Sequence, residues 1–93
     1  MNLITSSAFK RALKATVKKN PQLKARIAER LKLLEREPFN PILRTHKLKG
    51  DLAGAWSCIV DYDCRIVFNF VSNEDTGEED ILLINIGTHD EVY

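Results

Sequence analysis

The chain has 93 residues, 44% of them hydrophobic and 29% charged. That length gives one domain, residues 1–93, and the balance excludes a disordered chain. A domain so small buries only roughly 60% of its unfolded surface, so most apolar positions must serve the core.

The net charge of +1 conceals a division along the chain. Residues 1–50 hold 13 Lys and Arg against 3 acids, a balance of +10. Residues 51–93 hold one Arg against 10 acids, a balance of −9. A basic half can attract a polyanion; basic helices can equally just solvate one side of a domain. No apolar run approaches the ~20 residues of a membrane span. Lys10 and Arg11 follow the apolar start instead of preceding it, so no secretory pattern is present. Two cysteines, Cys58 and Cys64, are too few for a disulfide framework. These features favour a cytoplasmic protein.

In chain order, residues 2–5 read as a short first strand. Ser6 or Ser7 can cap the helix that follows. Phe9, Ala12, Leu13, Thr16 and Val17 recur at helical spacing, and Lys10, Arg11, Lys14, Lys18 and Lys19 take much of the remaining surface. Asn20-Pro21 marks a junction, with Asn20 as N-cap and Pro21 at the first position of a second helix. Leu23, Ile27, Leu31 and Leu34 form its apolar stripe, and Pro38 ends it. Two helices with a short junction make a helical hairpin.

Residues 39–54 are irregular by pattern and contain the basic cluster Arg44, His46, Lys47 and Lys49. So long a connection in a small domain is often functional. From Trp56 the period becomes strand-like: residues 56–60, 66–71 and 81–86 are rich in β-branched and aromatic side chains. A tight turn fits residues 61–64 and an acidic loop fits residues 72–80. Short links between consecutive strands give an antiparallel meander. The fold class is therefore α+β: a small antiparallel sheet of about four strands, with the helical hairpin on one face, in the order β-αα-βββ.

Few residues can carry chemistry. The only histidines are His46, in the basic loop, and His89, just past the last strand. Neither sits in an apolar periodic stretch. Two Cys and two His lack the spacing of a zinc site, so no metal is expected. Cys58 and Cys64 read as small core-facing or half-exposed thiols rather than a hairpin disulfide. Ser57 lacks a nucleophile elbow, and no phosphate-binding Gly-rich loop occurs. Arg65 is the only basic residue after Lys49. It either pairs with Asp61 or Asp63 or clamps a phosphate through bidentate hydrogen bonds. Tyr93 can pack on the sheet or stack on a base.

His46-Lys47-Leu48-Lys49-Gly50, Gly54-Ala55-Trp56-Ser57, Tyr62 to Phe68 and Ile86 to Tyr93 together resemble the RelE superfamily of toxin–antitoxin toxins, and its YafQ-like branch most. The resemblance extends over nearly the whole chain. It implies a ribosome-dependent endoribonuclease that cuts messenger RNA and is blocked by a cognate antitoxin. DNA binding is implied only through that antitoxin. Neither metal nor cofactor is implied, because the RNA 2′-hydroxyl is the nucleophile. By position, His89 matches a catalytic histidine acting as general acid. His46 matches a loop histidine acting as base or phosphate donor. Arg65 matches a phosphate-stabilising arginine, Lys47 and Lys49 match RNA- or phosphate-binding positions, and Tyr93 matches a base-stacking aromatic. Some YafQ-like members carry a further histidine and an aspartate before the strand that begins near Arg65. Here that stretch is Asp61-Tyr62-Asp63-Cys64, without histidine, and Asp63 or Asp61 stands in for the acid. The alternative is a toxin-like module that binds an antitoxin without chemistry.

Overall fold

The computed structural model describes residues Met1–Tyr93. Strand β1 (Leu3–Thr5) leads into helix α1 (Ser7–Lys19) and helix α2 (Lys24–Arg36). Strands β2 (His46–Lys47), β3 (Trp56–Asp61), β4 (Cys64–Ser72) and β5 (Glu79–Gly87) follow, and α3 (His89–Val92) closes the chain. The five strands form one sheet in the order β1-β5-β4-β3-β2.

The helices form where their patterning and caps place them. Ser6 accepts the Phe9 N–H at 3.0 Å and starts α1. Phe9 and Thr16 are its buried positions, with Ala12, Leu13 and Val17 packed beside them. The junction differs from expectation. Asn20 closes α1, its N–H bonded to the Thr16 carbonyl at 2.9 Å. Pro21 opens a single 3₁₀ turn, Pro21–Leu23, and α2 starts only at Lys24. The Asn20 side chain accepts from Gln22 instead of capping a backbone N–H. Proline's fixed φ suits either kind of first turn, so the sequence does not choose between them. Ile27 and Leu34 then bury one stripe of α2.

The hairpin covers one face of the sheet. Phe9, Ile27, Leu34, Leu43, Phe68 and Leu83 are central to this core, and Cys58 and Cys64 lie within it, core-facing rather than half-exposed. Shortening such a side chain to Ala costs about 2–5 kcal/mol. Strands β3, β4 and β5 make the antiparallel meander. Two features depart from a four-stranded antiparallel sheet. Strand β2 adds a fifth strand, antiparallel to β3 but only two residues long, too short for a periodic signal. Strand β1 runs parallel to β5, with Leu3 opposite Ile81. The helices intervene between β1 and its neighbour, so no hairpin turn fixes its direction. Asp80 fixes its register instead. Its carboxylate accepts the Asn2 N–H at 3.0 Å and the Asn73 side-chain amide at 2.9 Å.

Alternation leaves the second face of the sheet for other work. Ala55, Val67 and Val92 form a small separate core there, flanked by Leu48 and Ile84. That cluster docks α3 and the residues after β2 onto the face away from the helices. No helix is long and apolar enough to cross a membrane.

Candidate active site on the open face of the sheet

His46 is delivered by a loop with fixed geometry. Asn40 caps the 3₁₀ turn Pro41–Leu43 by accepting the Ile42 N–H at 3.0 Å, and buried Leu43 roots that turn in the main core. Arg44 then takes left-handed backbone angles, φ 49° and ψ 42°, which few non-glycine residues adopt. The chain reverses there into β2. The His46 ring nitrogen Nδ1 lies 3.0 Å from the Arg44 carbonyl. A carbonyl only accepts, so Nδ1 is the donor here, and in the neutral ring this leaves the lone pair on Nε2.

His89 is delivered by α3, a single helical turn held from several sides. Thr88 and Glu91 form a capping box: Thr88 Oγ1 accepts the Glu91 N–H at 3.2 Å, and Glu91 Oε1 accepts the Thr88 N–H at 2.9 Å. The second Glu91 oxygen pairs with Lys19 at 3.2 Å, tying α3 to the end of α1. The Thr88 N–H and then Lys19 hold the Glu91 carboxyl below its ordinary range. Gly87 makes this approach feasible, since a Cβ there would stand 2.9 Å from Glu91 Oε1 and 3.1 Å from its Cβ. The Asp63 carboxylate accepts the His89 N–H at 3.3 Å. Positions 89 and 93 lie one turn apart on one face of the helix. Their rings meet edge-on, centroids 4.6 Å apart at 80°. The Tyr93 hydroxyl bonds to the Ser57 hydroxyl.

His46, Lys49, Asp51, His89 and Tyr93, with the leucines at 48 and 52, line one open cleft of about 330 Å³. The His89 side chain is 63% exposed, so the imidazole is open to a ligand. Gly54 shapes the far side of the basic loop. Leu52 to Ala55 form a type II turn closed by a 3.0 Å bond, with Gly54 at φ 95°, where a side chain is strained. No three His, Cys, Asp or Glu side chains converge to hold a metal ion. A larger concavity of about 450 Å³ lies between α1 and α2, with an apolar floor and Lys10, Lys14 and Lys24 on its rim. It contains no group able to move a proton near neutral pH.

Three residues singled out in the sequence do not line the cleft. Lys47 projects to the opposite face, its ammonium 5.7 Å from the Trp56 ring centroid, because alternation turns it away from His46. The Arg65 guanidinium pairs with neither Asp61 nor Asp63. Its Nη1 donates to the backbone carbonyls of Asp61 and Tyr62, each at 2.9 Å, and Cys64 at 3.4 Å. It braces the β3–β4 turn. Asp63, carried by that turn, holds the His89 backbone. Neither α3 nor the Ser57–Tyr93 contact was expected from the sequence. The capping box was legible as Thr88-x-x-Glu91, whereas nothing local marks the Ser57 contact.

The model of the family "Bacterial toxin of type II toxin-antitoxin system, YafQ" matches residues 1–93. The chain belongs to the YafQ toxin family. The fold agrees with solved YafQ structures. YafQ from E. coli strain BL21(DE3) superposes with a TM-score of 0.80 at 15% identity, covering 99% of this chain and 97% of that one. YafQ in the E. coli DinJ–YafQ toxin–antitoxin complex gives 0.77 at 16% identity, covering 99% and 96%. A YoeB/ParE toxin from Agrobacterium tumefaciens gives 0.75 at 21% identity, covering 96% and 99%. No curated protein sequence matches the chain significantly.

Proposed function

We propose that this YafQ-family toxin is a ribosome-dependent endoribonuclease that cuts messenger RNA and is neutralised in the bacterial cytoplasm by a cognate antitoxin. The observation that carries this reading is the convergence of His46 and His89, far apart in the chain, on one exposed cleft with Lys49 and Tyr93.

The chemistry follows from these groups. In its neutral form His46 keeps its proton on Nδ1, where it donates to the Arg44 carbonyl, and Nε2 accepts the proton of the ribose 2′-hydroxyl. The 2′-oxygen attacks the adjacent phosphorus in line, and the bond from phosphorus to the 5′-oxygen breaks. Protonated His89 gives its proton to that departing oxygen. The products are a 2′,3′-cyclic phosphate and a 5′-hydroxyl. Lys49 offsets the charge that grows on the phosphate oxygens, and the open face of Tyr93 stacks a base. No step calls for a metal ion. The lysines of α1 face ribosomal RNA, where a local positive field matters more than the net charge. Antitoxin neutralisation is supported by the E. coli relative solved with DinJ; DNA binding is assigned to the antitoxin alone.

The test uses message alone and message on programmed ribosomes. Cleavage confined to ribosome-bound message and abolished by a 2′-deoxy sugar at the cut site is expected. Cutting that survives the 2′-deoxy substitution contradicts the mechanism, and cutting of naked RNA contradicts the ribosome dependence. One feature favours a non-catalytic binding module instead: the stretch Asp61-Tyr62-Asp63-Cys64 has no histidine. Tight antitoxin binding with no cleavage selects that reading.

A further inference from the structure

Ser57 is fully buried on the open face of the sheet. It is the register partner of His46 across β2 and β3, so the two side chains share that face. A buried hydroxyl needs a hydrogen-bond partner, and here the partner is the Tyr93 hydroxyl at the end of α3. The Tyr93 ring stands edge-on against the His89 imidazole. Ser57–Tyr93 is the one hydrogen bond joining the His46-bearing edge of the sheet to α3. The other polar ties of α3 run to the β3–β4 turn through Asp63 and to α1 through Lys19. Those ties hold the start and middle of the helical turn. Val92 packs the turn onto Ala55 and Val67, and the Ser57 hydroxyl is the one hydrogen-bond partner of the Tyr93 side chain, whose ring abuts the imidazole.

We infer that Ser57 is a positioning residue for His89: by anchoring the Tyr93 hydroxyl, it sets the orientation of the His89 imidazole across the cleft from His46. The chain of contact is Ser57 hydroxyl, Tyr93 hydroxyl, Tyr93 ring, His89 ring. Ser57 itself lies below the cleft and touches no substrate. The kinetic consequence rests on the RNA cleavage proposed above; the structural consequence does not.

The test is a double-mutant cycle on the full chain with Ser57→Ala and Tyr93→Phe, each of which removes one hydroxyl and keeps the local volume. Two readouts are taken. The first is the proton NMR positions of the His89 ring, which feel the Tyr93 ring. Both single variants shift these lines in the same direction, and the double variant adds nothing. The second is single-turnover cleavage of ribosome-bound message. Each single variant lowers the cleavage rate roughly 10- to 100-fold, as small misplacements of catalytic groups do, with half-saturation unchanged within about twofold. The double variant matches the slower single one, because interacting pairs are not additive. An anchor with a purely structural role lowers the melting temperature, leaves the His89 lines in place and gives rate losses that multiply. Unmoved His89 lines in Ser57→Ala, or multiplying losses, overturn the inference. Should Ser57→Ala fail to fold, Tyr93→Phe alone decides, since it alters only an exposed ring and must shift the same lines. Should wild type cut no RNA, the proposed function fails while the NMR arm still decides the role of Ser57.

Discussion

The Asp63 carboxylate accepts a hydrogen bond from the His89 backbone N–H across 26 positions of sequence. The β3–β4 turn thereby holds the first residue of α3, and Arg65 holds the turn. In the proposed reaction Asp63 acts by position. Asp63→Asn keeps an acceptor oxygen and should cleave within about threefold of wild type. Asp63→Ala removes the acceptor and should cleave about tenfold more slowly. Single-turnover rates on ribosome-bound message check this. Equal losses in the two variants would instead point to a direct role for the negative charge.

Acid sensitivity follows from two carboxylates. The Asn2 N–H, then the Asn73 amide, hold the Asp80 carboxyl below its ordinary range. The Thr88 N–H, then Lys19, do the same for Glu91. A carboxyl depressed in the folded state stabilises the protein above its unfolded pKa and loses that contribution as pH falls through its folded pKa. Stability from these two groups is therefore complete above about pH 5 and declines below about pH 4. Urea unfolding at pH 7 and pH 3 measures it. Asp80→Asn should flatten the acid limb while lowering stability at pH 7. An unchanged acid limb would remove Asp80 from the account.

The thiols of Cys58 and Cys64 should be inert in the folded protein. Burial, and then the neighbouring Cys64, push the Cys58 pKa up to about 12. Burial, and then the Asp61 charge, push Cys64 up to about 11. At pH 7 neither supplies much thiolate, the form that reacts. A disulfide-exchange reagent should label both rapidly in denaturant and neither on the same timescale in native protein. Rapid native labelling of either would contradict their place in the core.

Gly87→Ala tests the close packing behind α3. The new methyl group would meet Glu91 Oε1 and Cβ, forcing the capping box and the Lys19 pair apart. The expected loss is about 1–3 kcal/mol in urea unfolding, with cleavage lowered as well. Unchanged stability would mean that Glu91 can move aside without cost.

Much of the fold was legible because its signals are local. The stripe Leu23, Ile27, Leu31, Leu34 and the cap at Ser6 define helices without tertiary help, and the β-branched runs define three strands. What escaped depends on distant partners. Strand β2 is two residues long and exists only through its pairing with β3. The register of β1 is fixed by Asp80, far along the chain. At the site, His46 and His89 stand out as the only histidines, but no spacing rule brings them to one cleft. The sequence showed Arg65 as an isolated cation and Lys47 as a neighbour of His46. It did not show that turn carbonyls occupy one or that alternation turns the other to the opposite face. Ser57 looked like a failed nucleophile because its partner, Tyr93, lies 36 positions away.

In the proposed reaction His89 hands a proton to the departing 5′-oxygen while His46 receives one from the 2′-hydroxyl. Single-turnover cleavage of ribosome-bound message with either oxygen or sulfur at the bridging 5′ position tests it most directly, because a sulfur leaving group departs without protonation. His89→Ala should lose roughly 10²-fold or more with oxygen and cleave near the wild-type rate with sulfur, whereas His46→Ala should stay slow with both. An equal His89→Ala defect on the two messages, or none on either, would contradict the account.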